Sequence, residues 1–403
     1  MTKAETEVQE GLNIMSWEAE DARKLRIQAE FEALLARANE RLPSANGVLC
    51  RFRNPVLTRD HVPLNWRFDF SNRTNPRFLE RLGVNAVFNP GAIYHDGRYL
   101  LVARVEGADR KSFFAVAESK TGVDGFRFWD HPLDIPEGTP PDTNIYDMRL
   151  TQHEDGWIYG LFCTERKDFA LPNDLTAAVA GCGIVRTRDF KDWERLPDLD
   201  AGPGQQRNVT LHPEFIDGHY LLYTRPQDGF VDVGGGGGIG WALVIDMGKA
   251  RISRQENVDP RAYHTIKEVK NGQGPPPLKT PHGWLHLAHG VRDTAAGLRY
   301  VLYVLLTDLE EPWHVIAEPG GYLIAPLGSE RVGDVSNVAF CNGWAHDPET
   351  GQVLIYYASS DTRIHVAETR LDELCDYALN TPPDSVSSRG AFEQRQTLIA
   401  GNS

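Results

Sequence analysis

The chain has 403 residues, of which 41% are apolar and 10% aromatic, so it can form one large or two ordinary globular domains. Acidic residues outnumber basic ones, 56 to 42, and the formal net charge of −14 argues against a general affinity for nucleic acid or anionic membranes. No stretch has the apolar core of a signal peptide or the length of a membrane span, and we expect a cytoplasmic location.

Cysteine and histidine spacing does not favour a metal site or a disulfide framework. The cysteines are odd in number, far apart and without a CxxC pair, at Cys50, Cys163, Cys182, Cys341 and Cys375. His282, His286 and His289 lie among apolar residues on a predicted strand, a pattern typical of core or substrate-contact histidines. We expect neither a metal nor an organic cofactor.

The first predicted element is a helix from Ser16 to about Leu42. Its sequence is rich in Ala, Glu, Leu and Arg, and Ser16 is a candidate N-cap. An apolar stripe runs through Leu25, Phe31, Leu34, Leu35 and Leu42. We expect residues 1–43 to form a helical extension that contacts another subunit of a homo-oligomer.

Short β-rich units follow from residue 44 to about residue 380. In each unit a glycine precedes an aromatic or apolar strand, at Gly97, Gly156, Gly218, Gly283 and Gly351. Each unit also contains enough further strands for a four-stranded blade. The sequence therefore predicts an all-β, five-bladed β-propeller over residues 44–380 and a C-terminal tail over residues 381–403. A pair of β-sandwiches is the competing architecture.

Residues 144–151 place an acid and a base on a strand with apolar neighbours. In a regular strand Asp147 and Arg149 would share one face, and Tyr146 and Met148 the other. A buried carboxylate needs a partner or a reaction. This stretch alone is equally compatible with a structural Asp147–Arg149 pair and with a catalytic Asp147.

Polar residues on the first strand of each unit indicate a central channel, because innermost propeller strands line it. They are Asn89, Asp147, Arg149, Asn208, His212, Lys279, Asp334 and Asn337. The predicted site is the mouth of that channel.

Basic residues gather just after the inner strands of this acidic chain. They are Arg166, Lys167, Arg186, Arg207, Lys279 and His289, with Asn208 beside Arg207. For any one of them, surface salt bridging is the simpler interpretation. Together on one channel they would form a cradle for phosphate or carboxylate.

A run of five glycines, residues 234–238, follows Asp232. It has no Lys-Ser/Thr after it and no βαβ context, so it is neither a P-loop nor a dinucleotide-binding fingerprint. We interpret it as a flexible loop near the channel mouth.

Segments spread over nearly the whole chain resemble glycoside hydrolase family 130, the mannoside phosphorylases. They are residues 89–92, 103–107, 109–112, 144–151, 165–168, 205–214, 223–228, 279–280, 287–292, 333–337 and 356–363. The resemblance implies a five-bladed propeller and inverting phosphorolysis, in which phosphate attacks a β-mannosyl unit to give α-mannose 1-phosphate and a free sugar. Within the family, the resemblance is to enzymes of β-1,4-mannosyl-glucose, which implies glucose as the acceptor.

The resemblance also implies roles for individual residues. Asp147 is the general acid, and its proton passes through the mannose 3-hydroxyl to the departing oxygen. Phosphate is already a nucleophile, so cations replace the second carboxylate that an inverting hydrolase needs. Phosphate contacts are implied for Arg166, Lys167, Arg186, Arg207, Asn208, Lys279 and His289. Sugar contacts are implied for Asn89, Arg104, Asp109, Tyr146, Arg149, Asp334 and Asn337.

Three alternative functions remain compatible with the sequence. A β-mannoside hydrolase on the same fold would need extra carboxylates where this chain offers Arg and Lys. A phosphorylase acting on mannan oligosaccharides or mannosyl-N-acetylglucosamine would differ only in its acceptor. A non-catalytic sugar-binding propeller would use Asp147 as a structural residue.

Overall fold

A computed structural model describes residues 20–403 apart from residues 82, 203, 231 and 384. Within that part the strands form five antiparallel sheets, which confirms the predicted five-bladed propeller. The first sheet contains β2 (Val84–His95), β3 (Arg98–Gly107), β4 (Ser112–Ser119) and β5 (Arg127–Phe128). The second contains β6 (Asn144–Gln152), β7 (Ile158–Lys167), β8 (Ala178–Thr187) and β9 (Glu194–Leu196). The third contains β10 (Thr210–Ile216), β11 (His219–Thr224), β12 (Ile239–Val244) and β13 (Glu256–Asp259).

The first strand of the fourth blade is broken in two. β14 (Lys270–Gln273) and β15 (Leu278–Thr280) both pair with β16 (Gly283–Thr294), and the blade continues with β17 (Gly297–Thr307) and β18 (Val315–Ala317). The break falls at residues 274–277, where three consecutive prolines cannot donate to a strand ladder.

The fifth blade closes the ring with a strand from the beginning of the chain. β19 (Ala339–His346), β20 (Gln352–Ser359) and β21 (Arg363–Arg370) come from the C-terminal part, and β1 (Cys50–Arg51) pairs with β21 at the outer edge. The two ends of the propeller are thereby joined by backbone hydrogen bonds.

Each middle strand packs its two faces against two neighbouring blades. On β3, Leu101 belongs to a core shared with Leu354 of the fifth blade, whereas Leu100 belongs to a core shared with Phe162 of the second. Three further cores join the second blade to the third, the third to the fourth and the fourth to the fifth. Strand alternation therefore supplies the apolar layer between all neighbouring blades.

The glycines that define the sequence repeat lie in the hairpins between the first two strands of the blades. Gly97, Gly156, Gly218, Gly283 and Gly351 all have positive φ, between 72° and 151°. Such φ values favour glycine because it has no Cβ. The spacing of the repeat thus reflects a backbone requirement of each inner hairpin.

Helices lie outside the blades: α1 (Glu20–Leu35), α2 (Leu64–Arg67), α3 (Leu371–Asn380) and α4 (Ser388–Gly401). The predicted first helix ends at Leu35 rather than near Leu42, and its candidate cap Ser16 lies outside the described residues. Ile27 and Phe31 of α1 pack against a small cluster of this same chain that includes Phe68. Among the described helices, none has the length and apolar character required to cross a bilayer.

Candidate active site

Two neighbouring inner strands carry a β-bulge at the same depth. The register shifts between Phe88 and Gly91 on β2 and between Tyr146 and Arg149 on β6. Asn89 has φ 44° and Asp147 has φ 60°, in the left-handed region. Bulges of this kind re-aim a side chain and are frequent beside active sites.

The bulge at Asp147 changes which side chains share a face. Met148 packs in the core between the first and second blades, whereas Tyr146 packs with Cys163 and Ala180. The expectation that Tyr146 and Met148 point the same way is therefore wrong, because the extra residue breaks the alternation.

A cavity of about 290 Å³ is lined by residues from all five blades. Its polar lining consists of Asn89, Arg104, Asp147, Arg207, Asn208, Arg225, Gln227, Lys270, Tyr300 and Asp361. The predicted candidates Asn89, Arg104, Asp147, Arg207 and Asn208 are thus brought together in one place.

One oxygen of Asp147 is held by two donors. Asn89 Nδ2 donates to Asp147 Oδ1 at 3.0 Å and Arg104 Nη1 donates to the same oxygen at 3.2 Å. The side chain of Asp147 is 16% exposed, and no hydrogen bond to its Oδ2 is found in the described part of the chain. Asp147 is therefore fixed through one of its two oxygens.

Arg104 is itself fixed in place. It donates to Ser112 Oγ at 2.9 Å and to Glu106 at 2.5 Å, and its guanidinium lies 4.4 Å from the Phe88 ring centroid and 4.6 Å from that of Tyr146. A guanidinium held by an acid and two aromatic faces has little freedom to swing away from Asp147.

Cations gather on the third and fourth blades. Burial, reinforced by the charge of Arg207, lowers the pKa of Arg225 to about 10. Burial, reinforced by Arg225 and Arg207, lowers the pKa of Lys270 to about 8. Arg207 acts on Arg225, and both act on Lys270, so these positive groups lie close together and form a site that an anion would stabilise.

Several buried polar atoms around the pocket lack a protein partner. Within the described residues, Arg225 Nε, Asn89 Oδ1 and His289 Nδ1 have no hydrogen-bond partner. Arg225 Nη1 lies 3.1 Å from His289 Nε2, and burial together with Arg225 lowers the pKa of His289 well below its usual range. His289 is thus a neutral support for Arg225, behind the residues that line the cavity. Unpaired buried groups of this kind indicate a ligand.

Arg149 lies behind the pocket, fully buried, and connects its two sides. It donates to the backbone oxygen of Asp147 at 3.0 Å, to Asn208 Oδ1 at 2.5 Å and to Gly274 O at 3.1 Å. It is not among the cavity-lining residues. Its contacts suit holding the bulge of Asp147 rather than touching a sugar.

The structure does not bring four predicted phosphate residues to the pocket. Arg166 pairs with Asp142 and Asp198 at 2.6 and 2.7 Å, and Lys167 donates to loop carbonyls including Leu171 O at 2.9 Å. Arg186 pairs with Glu194 at 2.7 Å on the outer side of blade two, and Lys279 pairs with Glu214 at 2.6 Å. These cations have local acid or carbonyl partners, and none of them lines the cavity.

Besides Arg149, four further predicted sugar residues lie outside the cavity lining. Asp109 is exposed and accepts from the backbone of Lys111 at 3.1 Å, and Asp334 is exposed and accepts from Asn85 at 2.5 Å. Asn337 is held by backbone bonds beside Val338, and Tyr146 lies beneath Arg104, with its hydroxyl accepting from Arg207 at 3.2 Å.

The sequence analysis did not assign Arg225, Lys270 or Tyr300 to the site. One signal could have found Arg225, because Arg225 and Arg104 each stand seven residues after a hairpin glycine, Gly218 and Gly97. Equal distance from the hairpin places both side chains at the same height in their blades. Asp361 also lines the cavity.

Comparison with known proteins decides the family. A family model described as beta-1,4-mannooligosaccharide phosphorylase, glycoside hydrolase family 130, matches residues 51–379. The chain belongs to glycoside hydrolase family 130. The resemblance found in its sequence segments is thereby confirmed.

Relatives within family 130 differ widely in similarity. The 4-O-beta-D-mannosyl-D-glucose phosphorylase of Bacteroides fragilis is 60% identical over 378 residues, covering 94% of this chain and 96% of that protein. The beta-1,4-mannooligosaccharide phosphorylase of Ruminococcus albus is 26% identical over 334 residues, covering 80% of this chain and 88% of that protein.

Solved structures of family 130 members share the fold. The beta-1,2-mannobiose phosphorylase of Listeria innocua, in complex with beta-1,2-mannobiose, superposes with a TM-score of 0.64 at 20% identity, covering 85% of this chain and 99% of that one. A second structure, reported with the finding that the family contains glycoside hydrolases targeting beta-1,2 mannosidic linkages in Candida mannan, has a TM-score of 0.62 at 18% identity, covering 83% and 94%.

Proposed function

We propose that this protein catalyses inverting phosphorolysis of 4-O-β-D-mannopyranosyl-D-glucose by inorganic phosphate, giving α-D-mannose 1-phosphate and D-glucose. The observation that carries the proposal is that one cavity is lined by Asp147 together with the cations Arg207, Arg225 and Lys270. The 60% identity to the Bacteroides fragilis enzyme supports the choice of substrate.

The proposed reaction uses one proton donor and one bound nucleophile. Asp147 supplies the proton that the departing glucose oxygen takes up as the C1–O bond breaks. Phosphate forms the new C1–O bond from the opposite face, which inverts the anomeric centre. The proton released by phosphate restores Asp147.

The cations have two roles in this proposal. Arg207, Arg225 and Lys270 bind the phosphate and hold one oxygen in line with C1. They also balance the negative charge that would otherwise repel the carboxylate of Asp147. Neutral His289, behind Arg225, keeps that guanidinium in position.

The arrangement does not favour a hydrolase. Hydrolysis with inversion needs a second carboxylate opposite the acid to activate water. Asp361 is the other carboxylate in the cavity lining, and the charge of Asp147 is among those that act on it, so the two acids lie near each other. The other charged groups of the lining are cations, Arg104, Arg207, Arg225 and Lys270, which suits phosphate.

Acceptor choice is tested in the synthetic direction. We expect α-mannose 1-phosphate to give the highest kcat/KM with glucose in a panel that also contains N-acetylglucosamine, mannose and β-1,4-mannobiose. A preference for N-acetylglucosamine or for mannobiose by tenfold or more would replace glucose as the acceptor while leaving phosphorolysis in place.

We also propose a cytoplasmic location and a homo-oligomer that uses helix α1. Five buried free cysteines support a reducing compartment. Leu25 on α1 is 66% exposed, although other apolar residues of that helix pack on its own chain. Light scattering of Leu25→Glu is expected to give a smaller particle than the wild type; an unchanged particle would remove α1 from the interface.

A further inference from the structure

The glycine-rich run from Gly234 to Gly238 lies between the two backbone segments that carry pocket cations. Gly237 N–H donates to Pro226 O at 2.8 Å, and Asn271 N–H donates to Gly237 O at 2.8 Å. Pro226 directly follows Arg225, and Asn271 directly follows Lys270. A single glycine residue therefore joins the segment of Arg225 to the segment of Lys270.

A side chain at Gly236, Gly237 or Gly238 would be crowded by neighbouring atoms or strained. A Cβ on Gly236 would overlap Pro226 O, and a Cβ on Gly238 would lie 3.0 Å from both Asp259 O and Pro260 Cα. Gly237 has φ 92°, where a side chain is strained. By contrast, a Cβ on Gly235 would meet nothing within 4 Å, so glycine is not required there by contact.

The far side of the run rests on a buried network. Asn271 Nδ2 donates to both the backbone oxygen and Oδ2 of Asp259 at 3.0 Å, and Lys267 forms ion pairs with Asp259 and Glu318. Asn271 and Asp259 are both buried. Because this support is rigid, a displacement of the glycine run would shift the Arg225 segment and leave the buried network in place.

Arg225, on the other side of the glycine run, is placed to contact a ligand in the cavity. Arg225 is 7% exposed and lines the cavity, and its Nε has no hydrogen-bond partner among the described residues. A shift of its backbone would change where that unpaired group points.

We propose that Gly236, Gly237 and Gly238 are positioning residues, which set the distance between Arg225 and Lys270 and thereby the affinity for phosphate. This inference rests on the proposed phosphorolysis. It differs from a general structural role because it predicts an effect on phosphate and on the sugar phosphate, and not on the disaccharide.

The test compares Gly236→Ala with the neighbouring Gly235→Ala. In the phosphorolytic direction, Gly236→Ala is expected to raise the KM for inorganic phosphate about tenfold and to change the KM for the disaccharide by less than about twofold. In the synthetic direction its KM for α-mannose 1-phosphate should rise in parallel. Gly235→Ala should match the wild type in all three constants, and both variants should keep a wild-type circular dichroism spectrum.

Equal rises in the KM for phosphate and for disaccharide, or no rise in either, would overturn the inference. If Gly236→Ala does not fold, Gly238→Ala decides by the same criteria, because its closest contacts require a shift of only a few tenths of an ångström. A wild-type enzyme that turns over without phosphate would overturn the proposed function as well. If the wild type depends on phosphate but Gly236→Ala has an unchanged KM for phosphate, only the positioning role is overturned.

Discussion

Asn89 and Asp147 stand at matching bulges on adjacent inner strands, and the amide of Asn89 donates to Oδ1 of Asp147 at 3.0 Å. Both residues have positive φ, 44° and 60°, which Asn and Asp adopt more readily than most residues. The pairing fixes the carboxyl of Asp147 through one oxygen and turns it toward the cavity. Two strained residues held by each other are typical of a functional site.

Replacing Asp147 by Asn should remove the proton donor and little else. Asn keeps an oxygen that accepts from Asn89 and Arg104, and it tolerates the positive φ. We expect kcat on mannosyl-glucose to fall by about 10²–10⁴-fold with an unchanged melting temperature. A p-nitrophenyl β-mannoside, whose leaving group needs no proton, should lose less.

Asp96→Asn is the matched control, since Asp96 also has positive φ but lies on an exposed hairpin beside Gly97. It should behave as wild type. An Asp147→Asn enzyme that retains kcat within tenfold on mannosyl-glucose would favour a structural Asp147.

Loss of a cation that lines the cavity should weaken phosphate binding, whereas loss of a cation outside the cavity should not. Arg225→Gln removes a buried charge with an unpaired Nε, so the KM for phosphate should rise by about 10- to 100-fold. Arg186→Gln removes a cation that pairs with Glu194 outside the cavity, so its KM for phosphate should stay at the wild-type value. Steady-state kinetics at varied phosphate concentration compare the two variants. Equal effects on the KM for phosphate would disprove the assignment of Arg225 to the phosphate site.

Phosphate affinity should depend on the protonation of Lys270. Burial, with Arg225 and Arg207, lowers the pKa of Lys270 to about 8, so the ammonium is charged below that pH and neutral above it. A plot of log KM for phosphate against pH should therefore turn upward near pH 8, while the KM for disaccharide does not.

Lys270→Arg should move that upward turn to higher pH, because a guanidinium stays charged. A wild-type profile that is flat from about pH 7 to 9 would contradict the role of Lys270 in phosphate affinity, and a turn that persists unchanged in Lys270→Arg would show that another group titrates there.

Asp361 makes stability depend on pH. Burial, and then the charge of Asp147, raises the pKa of Asp361 from 3.8 to about 7. Its contribution to stability is therefore complete below about pH 4 and is lost as the pH rises through about 7. Asp361→Asn removes this titration, so its melting temperature relative to wild type should rise between pH 5 and pH 8.

Calorimetry at the two pH values checks this, with exposed Asp109→Asn as the control. A constant difference in melting temperature between Asp361→Asn and wild type would mean that Asp361 is not protonated in the folded state near pH 5.

The blades could be predicted because their signals are local. A glycine with positive φ followed by a run of apolar residues marks a hairpin within about ten residues, as at Gly97 and Leu100 to Val102. The bulge at Asp147 could not be predicted in this way, since one extra residue leaves no mark in the alternation. It alone decides that Tyr146 and Met148 diverge.

Cations were harder to place because their partners come from distant parts of the chain. Arg166 lies near the end of β7 and Arg225 directly after β11, so their places in the two blades are similar. Asp142 and Asp198 neutralise Arg166, and neither acid is close to it in sequence. The sequence predicts Lys279 as the inner-strand lysine of blade four, whereas the strand is broken at residues 274–277 and it is Lys270 that lines the cavity.

Phosphate dependence of cleavage tests the central claim most directly. Purified enzyme is incubated with 4-O-β-D-mannosyl-D-glucose in buffer with and without inorganic phosphate, and the products are separated. The account predicts equal amounts of α-mannose 1-phosphate and glucose with phosphate, and no cleavage above background without it. Release of free mannose at the same rate in both buffers would contradict it.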